Sequence, residues 1–391
     1  MRSDWARVRK ILGISFIVAG LVWAFAVQMR GEAGRVEAAG PSRSAQSSNS
    51  GDVPVFQNGH LGKQPVRGTL ADEVHKWAAA TTTARWLGYS VAAVEGDGTI
   101  CCSNWNGSDR GCSVCQLEGN HNGLSVNSGA NEKGTVHLEG SRRLAILFRA
   151  ENGKIGKIRV FSADCGIDAG GKEVLWLEGV KDNESVALLT GYVTAEKSDR
   201  EDESVGKSAL MAIALHEDPS AEKALLSFVE PEQPEWLRRE TVFWLGEARG
   251  AEGFRALQRV ARTDPSAHVR EQVTFALSVS KEPGAVNEII RMAHDDTSAQ
   301  VRGQALFWLA QKAGKQAVSA IDGAIQNDPD TEVKKKAVFA LSQLPKDEGV
   351  PKLIQVAQSN KNPEVRKQAM FWLGQSEDPR ALAFFEKVLG P

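Results

Sequence analysis

One short phrase recurs at a fixed step through the C-terminal half of the chain, and this repetition constrains the fold more than any other feature. The phrase is an aliphatic residue followed by a basic one, and successive copies lie 32 residues apart: Leu237-Arg238, Val269-Arg270, Val301-Arg302, Val333-Lys334 and Val365-Arg366. A weaker copy begins at Val205. Six copies at a constant period of this size indicate a solenoid, in which each unit packs on the next.

Each unit has the pattern of two helices. With the aliphatic residue as position 0, apolar residues recur at positions 0, 4, 7 and 8, which is the spacing of one helical face. A second apolar run with helical periodicity opens at position 17, at Phe254, Val286, Val318, Val350 and Leu382. Residues able to cap the first helix stand three places before position 0 at Asp202, Ser266, Ser298, Asp330 and Asn362, whereas Pro234 breaks this pattern. The sequence therefore predicts an α/α solenoid of six helical hairpins over residues 199–391.

Aromatic residues follow the same register. Position 6 is phenylalanine in five copies, at Phe243, Phe275, Phe307, Phe339 and Phe371, and position 7 alternates between small and large, at Ala212, Trp244, Ala276, Trp308, Ala340 and Trp372. Neighbouring first helices pack at roughly 8–10 Å, so two tryptophans in register would overfill the space and two alanines would leave a void. We predict that each indole fills the space over its neighbour's alanine, a packing role rather than a ligand-binding stripe.

The motif Val-Arg-x-x-Ala-x-Phe-Trp-Leu, preceded by a turn of the Asp-Pro type, resembles the HEAT repeat family, in particular the short bacterial HEAT-like repeats also found in phycobilisome lyases. The resemblance covers about residues 199–391 and is specific for architecture, not for a reaction. It implies that the arginine after position 0 pairs with an aspartate of an inter-repeat turn. Arg270, Arg302 and Arg366 would do so, with Asp264, Asp296 and Asp328 as the available acids. Lys334 and Asn360 depart from this pattern at the fourth joint.

Charge argues against nucleic acid as the partner. The chain has a formal net charge of -2, and from Val205 onward 24 lysines and arginines face 25 aspartates and glutamates. A solenoid that binds nucleic acid is expected to carry a basic excess. The densest basic cluster, Lys334-Lys335-Lys336, is interpreted as a solvated helix face.

The amino terminus has the pattern of an export signal. Four basic residues within the first ten precede Ile11 to Val27, which contains no charged residue. The segment is either a cleaved signal peptide or a single membrane anchor, here assigned to residues 1–29. The basic flank predicts that the amino terminus stays in the cytoplasm and that the body lies outside it, in the periplasm or extracytoplasmic space, or is secreted if cleavage occurs. Residues 30–67 are rich in Gly, Ser and Ala, and we predict a flexible linker.

Residues 68–198 lack the repeat and predict a small α+β domain, mainly with antiparallel strands. A helix is expected over Leu70 to Trp86, and strand-like runs include residues 86–91, 135–138, 144–148, 157–161 and 173–177. Asn152-Gly153 predicts a tight hairpin turn between two of them. Asp182 or Ser185 is expected to cap a closing helix that leads into the array.

All five cysteines lie in this domain: Cys101, Cys102, Cys112, Cys115 and Cys165. Disulfides in an oxidising compartment agree with the export signal, with Cys165 as the expected unpaired thiol. A zinc site made by Cys101, Cys112, Cys115 and His121 is the alternative, although adjacent Cys101 and Cys102 are poorly placed to bind one ion together. Free or redox-active thiols are the third possibility. No cofactor is expected.

The sequence favours a non-catalytic interaction scaffold of the cell envelope. Its array would bind a partner protein on a concave face lined by second helices, as the family resemblance implies. The candidate contact residues are Glu222, Arg255, Arg259, Glu288, Arg291, Gln326, Lys352, Gln355 and Glu386. The identity of the partner is not predicted.

Two other functions remain open. One is a redox- or metal-responsive sensor that uses the cysteine-bearing domain, and the other is a lyase-like enzyme that handles a cofactor, although the array contains no cysteine. The last repeat could also mediate self-association, because a face that includes Phe384 or Phe385 is expected to lie open there.

Overall fold

The computed structural model describes residues 53–94, 102–103, 112–118, 142–196, 204–312 and 315–389. These residues belong to one compact unit, Ser50–Pro391. None of the helices in these ranges is long and apolar enough to cross a membrane. The segments predicted to be the membrane anchor or signal peptide and the strand at residues 135–138 lie outside the described residues.

The N-terminal part of this unit is built on strands. The bounds are β1 Phe56–Gln57, β2 His60–Pro65, β3 Arg85–Ala92, β4 Cys102–Ser103, β5 Cys112–Ser113, β6 Cys115–Gln116, β7 Arg143–Glu151, β8 Lys154–Ser162, β9 Ile167–Asp168 and β10 Glu173–Glu178. Five of them form a sheet in the order β2-β10-β3-β7-β8, and a smaller sheet has the order β1-β9-β6. The strands β4 and β5 pair with each other.

The expectation of a mainly antiparallel domain is wrong in part, because the sheets are mixed. The pairs β3–β7 and β7–β8 are antiparallel, whereas β10 runs parallel to both of its neighbours, β2 and β3. The last strand, β10, lies between the first two strands of this sheet, β2 and β3. Parallel neighbours need a long crossover connection rather than a hairpin. The predicted hairpin turn is confirmed: Asn152 and Gly153 have φ of 51° and 78°, the left-handed conformation that a two-residue turn requires.

The predicted linker ends too late in the chain. Phe56–Gln57 and His60–Pro65 are strands, and β2 pairs with β10 along its whole length. The strand β2 is short, polar and at the edge of the sheet, with nearly all of its residues exposed. Its composition therefore lacks the apolar alternation by which a strand is recognised in a sequence.

The helices are α1 Leu70–Ala80, α2 Asp182–Ala195, α3 Val205–Leu215, α4 Pro219–Phe228, α5 Glu235–Ala248, α6 Gly250–Thr263, α7 Ala267–Val279, α8 Ala285–Asp295, α9 Ala299–Lys312, α10 Lys315–Asn327, α11 Thr331–Gln343, α12 Lys346–Ser359, α13 Pro363–Gln375 and α14 Pro379–Leu389. From α3 onward they form the six predicted hairpins, with odd-numbered first helices and even-numbered second helices. Ser266, Asp330 and Asn362 cap their helices as predicted. The first hairpin is capped by Ser204, not Asp202, and α2 begins after Lys181 without a side-chain cap.

The two faces of the five-stranded sheet have different coverings. On one face Leu87, Tyr89 and Phe148 belong to an apolar core that runs without interruption from the sheet through all six hairpins. On the other face Trp86 and Trp176 form a separate core with residues of the β1-β9-β6 sheet. The sheet and the array are therefore packed as one body, and the first repeat is covered by the domain before it.

A buried chain of polar groups joins the sheet to the first hairpin. The hydroxyl of Tyr89 lies 2.9 Å from the hydroxyl of Ser185, which lies 2.9 Å from Nε2 of His216. Nδ1 of His216 lies 2.7 Å from the carbonyl of Ala212. All three side chains are fully buried. A neutral imidazole that donates from Nδ1 and accepts at Nε2 satisfies every member, with Tyr89 donating to Ser185 and Ser185 donating to His216.

Burial lowers the pKa of His216 below its usual value, against the opposing effects of the Ala212 hydrogen bond and the charges of Asp182 and Asp218, while Arg249 lowers it further. The unfolded chain therefore takes up a proton at this histidine more readily than the folded chain. The neutral histidine stabilises the fold fully above the unfolded pKa of about 6.5. This contribution is lost progressively as pH falls from that value through the folded pKa.

We expect the thermal midpoint of the wild type to fall more steeply on acidification below about pH 6.5 than that of His216→Gln, because only the wild type must protonate a buried ring on unfolding. Differential scanning calorimetry across this range measures the effect. His60→Gln, which changes an exposed histidine, should keep the wild-type slope. Parallel slopes for the wild type and His216→Gln would contradict the assignment.

Candidate protein-interaction surface

Buried ion pairs fix the joints between the inner hairpins. Nε and Nη2 of Arg238 lie 2.8 and 3.2 Å from the two carboxylate oxygens of Asp264. Arg270 binds Asp296 at 2.8 and 3.0 Å, and Arg302 binds Asp328 at 2.7 and 3.0 Å. The aspartate of each pair also accepts the backbone N–H two residues on, which belongs to the turn that starts the next hairpin. Each arginine thus holds the turn that follows its own hairpin.

The family resemblance correctly implied arginine–aspartate joints, but one pairing is wrong. The acids available to Arg270, Arg302 and Arg366 include Asp264, which in fact pairs with Arg238. Among the described residues, the guanidinium of Arg366 binds no acid, and it donates through Nη1 to the carbonyls of Asn360 and Lys361 at 2.8 and 3.1 Å. The fourth joint is altered as expected, since Lys334 donates to the carbonyl of Gln326 instead of meeting an acid at Asn360.

We expect Arg302→Met to lower the free energy of unfolding by about 3–5 kcal/mol, because Asp328 would keep a buried charge without its partner. Lys334→Met, at the equivalent position one repeat later, should cost less than about 1 kcal/mol, because its hydrogen bond is exposed. Urea denaturation of both variants measures the difference. Equal losses would show that the buried pair holds the joint no more firmly than a surface lysine does.

Aromatic rings form a continuous ladder along the first helices. Phe243 stacks on Phe275 with ring centroids 5.7 Å apart, and Phe307 stacks on Phe339 at 6.1 Å. Trp308 and Trp372 lie 4.8 and 4.9 Å from the phenylalanine of the preceding repeat, Phe275 and Phe339 respectively. Within the ladder, Trp244, Trp308 and Trp372 each also meet the phenylalanine next to them in sequence. The ladder connects five consecutive repeats.

The ladder is built from half-buried side chains until its last member, Phe371, which is 47% exposed. Ala276 and Ala340 are fully buried, and each is preceded in sequence by the phenylalanine that a tryptophan of the next repeat contacts. Contact of each indole with the alanine itself stays a prediction. The tryptophans are not among the residues that line two cavities beside His75 and Tyr192, and their contacts with neighbouring phenylalanines agree with a packing role.

The alternation of alanine and tryptophan at position 7 predicts that replacing one of the alanines by a larger residue destabilises the array. Ala340→Leu should lower the free energy of unfolding by about 1–3 kcal/mol, because extra methyl groups would enter a filled space. The matched control is Ala383→Leu on the exposed surface of α14, which should change it by less than about 0.5 kcal/mol. Denaturant titration compares the two, and a tolerated leucine at residue 340 would show that the space is not filled.

The second helices form the surface on which the contact residues were predicted, and arginines are prominent there. Arg255 and Arg259 on α6 are 59% and 50% exposed. Arg255 pairs with Glu252 on its own helix, and Nη2 of Arg259 reaches Glu230, at the end of the preceding hairpin, at 3.0 Å. These exposed pairs are solvent-screened and contribute little to stability.

One predicted contact residue is placed wrongly: Glu288 is only 4% exposed. Its carboxylate accepts from Nη2 of Arg262 at 2.8 Å and from Nε of Arg291 at 2.7 Å. Arg291 is itself only 28% exposed, and its Nη2 is buried without an acceptor among the described residues. Glu288 is therefore a buried residue of α8 that links this helix to α6. The helical period of the sequence did not indicate that it is buried.

Of the other candidates, one links two hairpins and the rest differ in their exposure to solvent. Lys352 on α12 is half-buried and pairs with Asp322 on α10, so it links two hairpins. Gln326, Gln355 and Glu386 are exposed and Glu222 is half-buried. Glu230, Glu252, Arg262 and Asp322 belong to the same surface and were not predicted. Glu230 and Asp322 could have been found as acids 29 and 30 residues before Arg259 and Lys352, close to one repeat. Glu252 lies three residues before Arg255 on the same helix.

The two residues expected on an open face of the last repeat are not exposed. Phe384 is only 5% exposed and Phe385 is half-buried. Among the side chains of α13 and α14 that are described, the exposed large apolar ones are Phe371, Leu382 and Val388. The prediction placed Phe384 on the wrong face of α14, where it belongs to the common core.

The cysteine-bearing region does not assemble the predicted zinc ligands in the described residues. Cys115 and Cys165 are both disulfide-bonded and buried, so Cys115 is not available as a thiolate ligand and Cys165 is not the unpaired thiol. Cys112 lies in β5, paired with β4, and Cys101 and His121 lie outside the described residues. In the part of the chain that is described, no group of three or more His, Cys, Asp or Glu side chains could hold a metal ion.

Comparison with known proteins agrees with this architecture. Residues 223–310 and 319–390 match the family described as HEAT repeats. No curated protein matches the sequence.

Several solved structures are similar to about half of the chain. They include the complex of CpcE and CpcF of phycocyanin lyase from Nostoc sp. PCC7120, with 20% identity, coverage of 51% of this chain and 80% of that one, and a TM-score of 0.30. Human deoxyhypusine hydroxylase in complex with glycerol has 15% identity, coverage of 54% and 91%, and a TM-score of 0.26. Kap95p bound to RanGDP has 19% identity, coverage of 55% and 33%, and a TM-score of 0.38. These similarities are too distant to inform function.

Proposed function

Because residues 223–390 carry HEAT repeats, a fold typically used for protein binding, we propose that this protein is a non-catalytic scaffold. It binds a partner protein on the surface of its second helices, the concave face of the array. The observation that carries this proposal is the exposed arginine pair on α6, Arg255 and Arg259, beside the half-exposed Arg262 and the less exposed Arg291 on α8.

Arginine is enriched in protein interfaces and among the residues that dominate binding energy. Each of these guanidiniums already has a carboxylate neighbour, so its side chain is held in place before a partner arrives. The pairs of Arg255 and Arg259 are exposed on both sides. A partner carboxylate or carbonyl can therefore replace Glu252 or Glu230 at small cost, because exposed ion pairs are worth little.

The charge of the surface limits the kind of partner. The three arginines of α6 pair with Glu252 on the same helix, with Glu230 and with Glu288 on α8, so both signs of charge are present on this surface. The array as a whole is balanced in charge. Such a surface favours a partner with mixed charges over nucleic acid, which needs a basic excess.

We place the protein in the cell envelope, with the body outside the cytoplasm and attached through residues 11–27 if these are not cleaved. Two features support this placement. The uncharged segment at residues 11–27 follows a basic flank, and Cys115 and Cys165 are disulfide-bonded, as is usual in oxidising compartments. Because both cysteines are buried, disulfide bonding at Cys115 and Cys165 is suited to a structural role more than to sensing.

The test is affinity capture from envelope extract with the full chain as bait. We expect a specific protein to be recovered by the wild type and lost, by about tenfold or more, with Arg255→Glu combined with Arg259→Glu, because each reversal opposes a favourable contact. The matched control combines Arg67→Glu with Lys76→Glu, which reverses two exposed charges in the α+β domain, and should capture as the wild type does.

Thermal melts of both double variants verify that the fold is retained. If the wild type recovers nothing above an unrelated bait, or if both double variants recover the same protein equally, the second-helix surface is not the binding site.

A further inference from the structure

Two adjoining clefts are lined by residues of the α+β domain. The larger has a volume of about 610 Å³ and lies between α1 and α2. The smaller, of about 450 Å³, lies between the same helices and the β7–β8 hairpin. His75 and Tyr192 line both clefts, and their rings meet edge-on with centroids 6.3 Å apart. Both volumes are in the range of small-molecule sites.

The larger cleft is elongated and mainly apolar. Leu70 and Leu188, both buried, line it from the two helices. Ala187, Gly191 and Ala195 follow one another at intervals of about one turn along α2, over a distance of about 12 Å at 1.5 Å per residue. A Cβ atom added at Gly191 would meet no atom within 4 Å. The space above these small residues is therefore open and can admit a flexible apolar chain.

Three groups that can donate a hydrogen bond converge on the smaller cleft, and none has an acceptor among the described residues. The hydroxyl of Tyr192 is buried without a partner, which costs stability in a folded protein. The ammonium of Lys154 is exposed and pairs with no acid of the described ranges, and the imidazole of His75 contacts the ring of Tyr192 but forms no hydrogen bond with those residues. The other lining residues have no polar side chain: Ala78, Gly153 and Ile155.

Charge is distributed unevenly along the two clefts. Glu184, near the start of α2, lines the larger cleft, and its carboxylate already accepts from Nζ of Lys181 at 2.8 Å and from the backbone N–H of Leu70 at 3.0 Å. Lys154 lines the smaller cleft together with Tyr192, which lies more than two turns further along α2. An elongated anion is therefore attracted with its charged end toward Lys154 and repelled from the end at Glu184.

We infer that the two clefts form one binding site for a small amphiphile, a straight-chain monocarboxylate of the fatty-acid type. Its carboxylate accepts from Nζ of Lys154 and from the hydroxyl of Tyr192 in the smaller cleft, beside His75. Its alkyl chain lies in the larger cleft, over Ala187 and Gly191. The site is distinct from the second-helix surface and does not depend on that surface having a partner.

The chemistry of the smaller cleft selects the head group. A carboxylate can accept from the ammonium of Lys154 and the hydroxyl of Tyr192 together, and hydrogen bonds assisted by charge are the stronger kind. One ammonium balances one negative charge, whereas a dianionic phosphate would keep an unbalanced charge beside apolar side chains. His75 is exposed, so its ring can turn aside rapidly and admit the head group to the hydroxyl of Tyr192.

Isothermal titration calorimetry of the full chain with sodium decanoate tests the site. Octanoate should bind about tenfold more weakly than decanoate, because two fewer methylene groups are buried. Gly191→Leu should weaken decanoate binding by at least tenfold, because the new side chain occupies the larger cleft. The matched control is Gly374→Leu on α13, another exposed helical glycine with open space around it, which should bind as the wild type does. Thermal melts of both variants verify that the fold is retained.

A second set of variants tests the head group. Lys154→Gln should weaken decanoate binding about tenfold and leave the binding of 1-decanol unchanged, because only the acid carries a charge. Tyr192→Phe keeps the ring and should weaken the binding of both ligands by about threefold to tenfold, because the hydroxyl can donate to either. Lys361→Gln, which changes an exposed lysine of the array, should bind both ligands as the wild type does.

Three outcomes would overturn the inference. The wild type could fail to bind decanoate, Gly191→Leu could bind it as tightly as the wild type, or Lys154→Gln could affect decanoate and 1-decanol equally. The last result would show that the clefts take up apolar chains without recognising a carboxylate. Because no cellular partner enters this assay, its failure is distinguishable from failure of the capture experiment.

Discussion

The buried bidentate contact between an arginine and the aspartate of the following turn is the interaction on which the array depends. A guanidinium and a carboxylate taken out of water need each other, and in this chain the two partners lie 26 residues apart on consecutive hairpins. Neither hairpin can satisfy its own charge. The requirement therefore fixes which hairpin follows which and at what offset, while the apolar core beneath supplies most of the stability. The ion pairs thus set the relative position of the hairpins, and apolar burial stabilises the fold.

This division explains why the aromatic ladder can be irregular in exposure without loss of order. The phenylalanines stack between alternate pairs of repeats, and the tryptophans of two repeats bridge the intervening gaps. Stacking tolerates small rotations, whereas a bidentate contact between arginine and aspartate does not. The rings add contact area along the first helices, and the bidentate contacts determine how consecutive hairpins are aligned. At the fourth joint, where Lys334 replaces arginine, the ladder contact between Phe339 and Trp372 is still present.

The features that the sequence could predict are those that depend on local interactions. The hairpin period, the caps Ser266, Asp330 and Asn362 and the Asn152-Gly153 turn depend on residues close together in sequence, and they were predictable. The insertion of β10 between β2 and β3 depends on pairing across more than 80 residues, which leaves no periodic trace. Glu288 was expected on the surface because its helix position allows exposure. It is buried because Arg262 and Arg291, on two different helices, converge on it.

Two kinds of ion pair therefore serve opposite purposes on the two sides of the array. On the first helices the pairs are buried, with both side chains at most 11% exposed, and removing one partner leaves a desolvated charge that no water can reach. On the second helices the pairs of Arg255 and Arg259 are about half exposed, and water or another protein can replace either acid. A surface that binds another protein needs charged groups that are held in position by weak, replaceable contacts. Of the two sets of ion pairs, only the exposed pairs on the second helices have that property. The array can hold its own shape with one set while it offers the other, because the two sets share no residue.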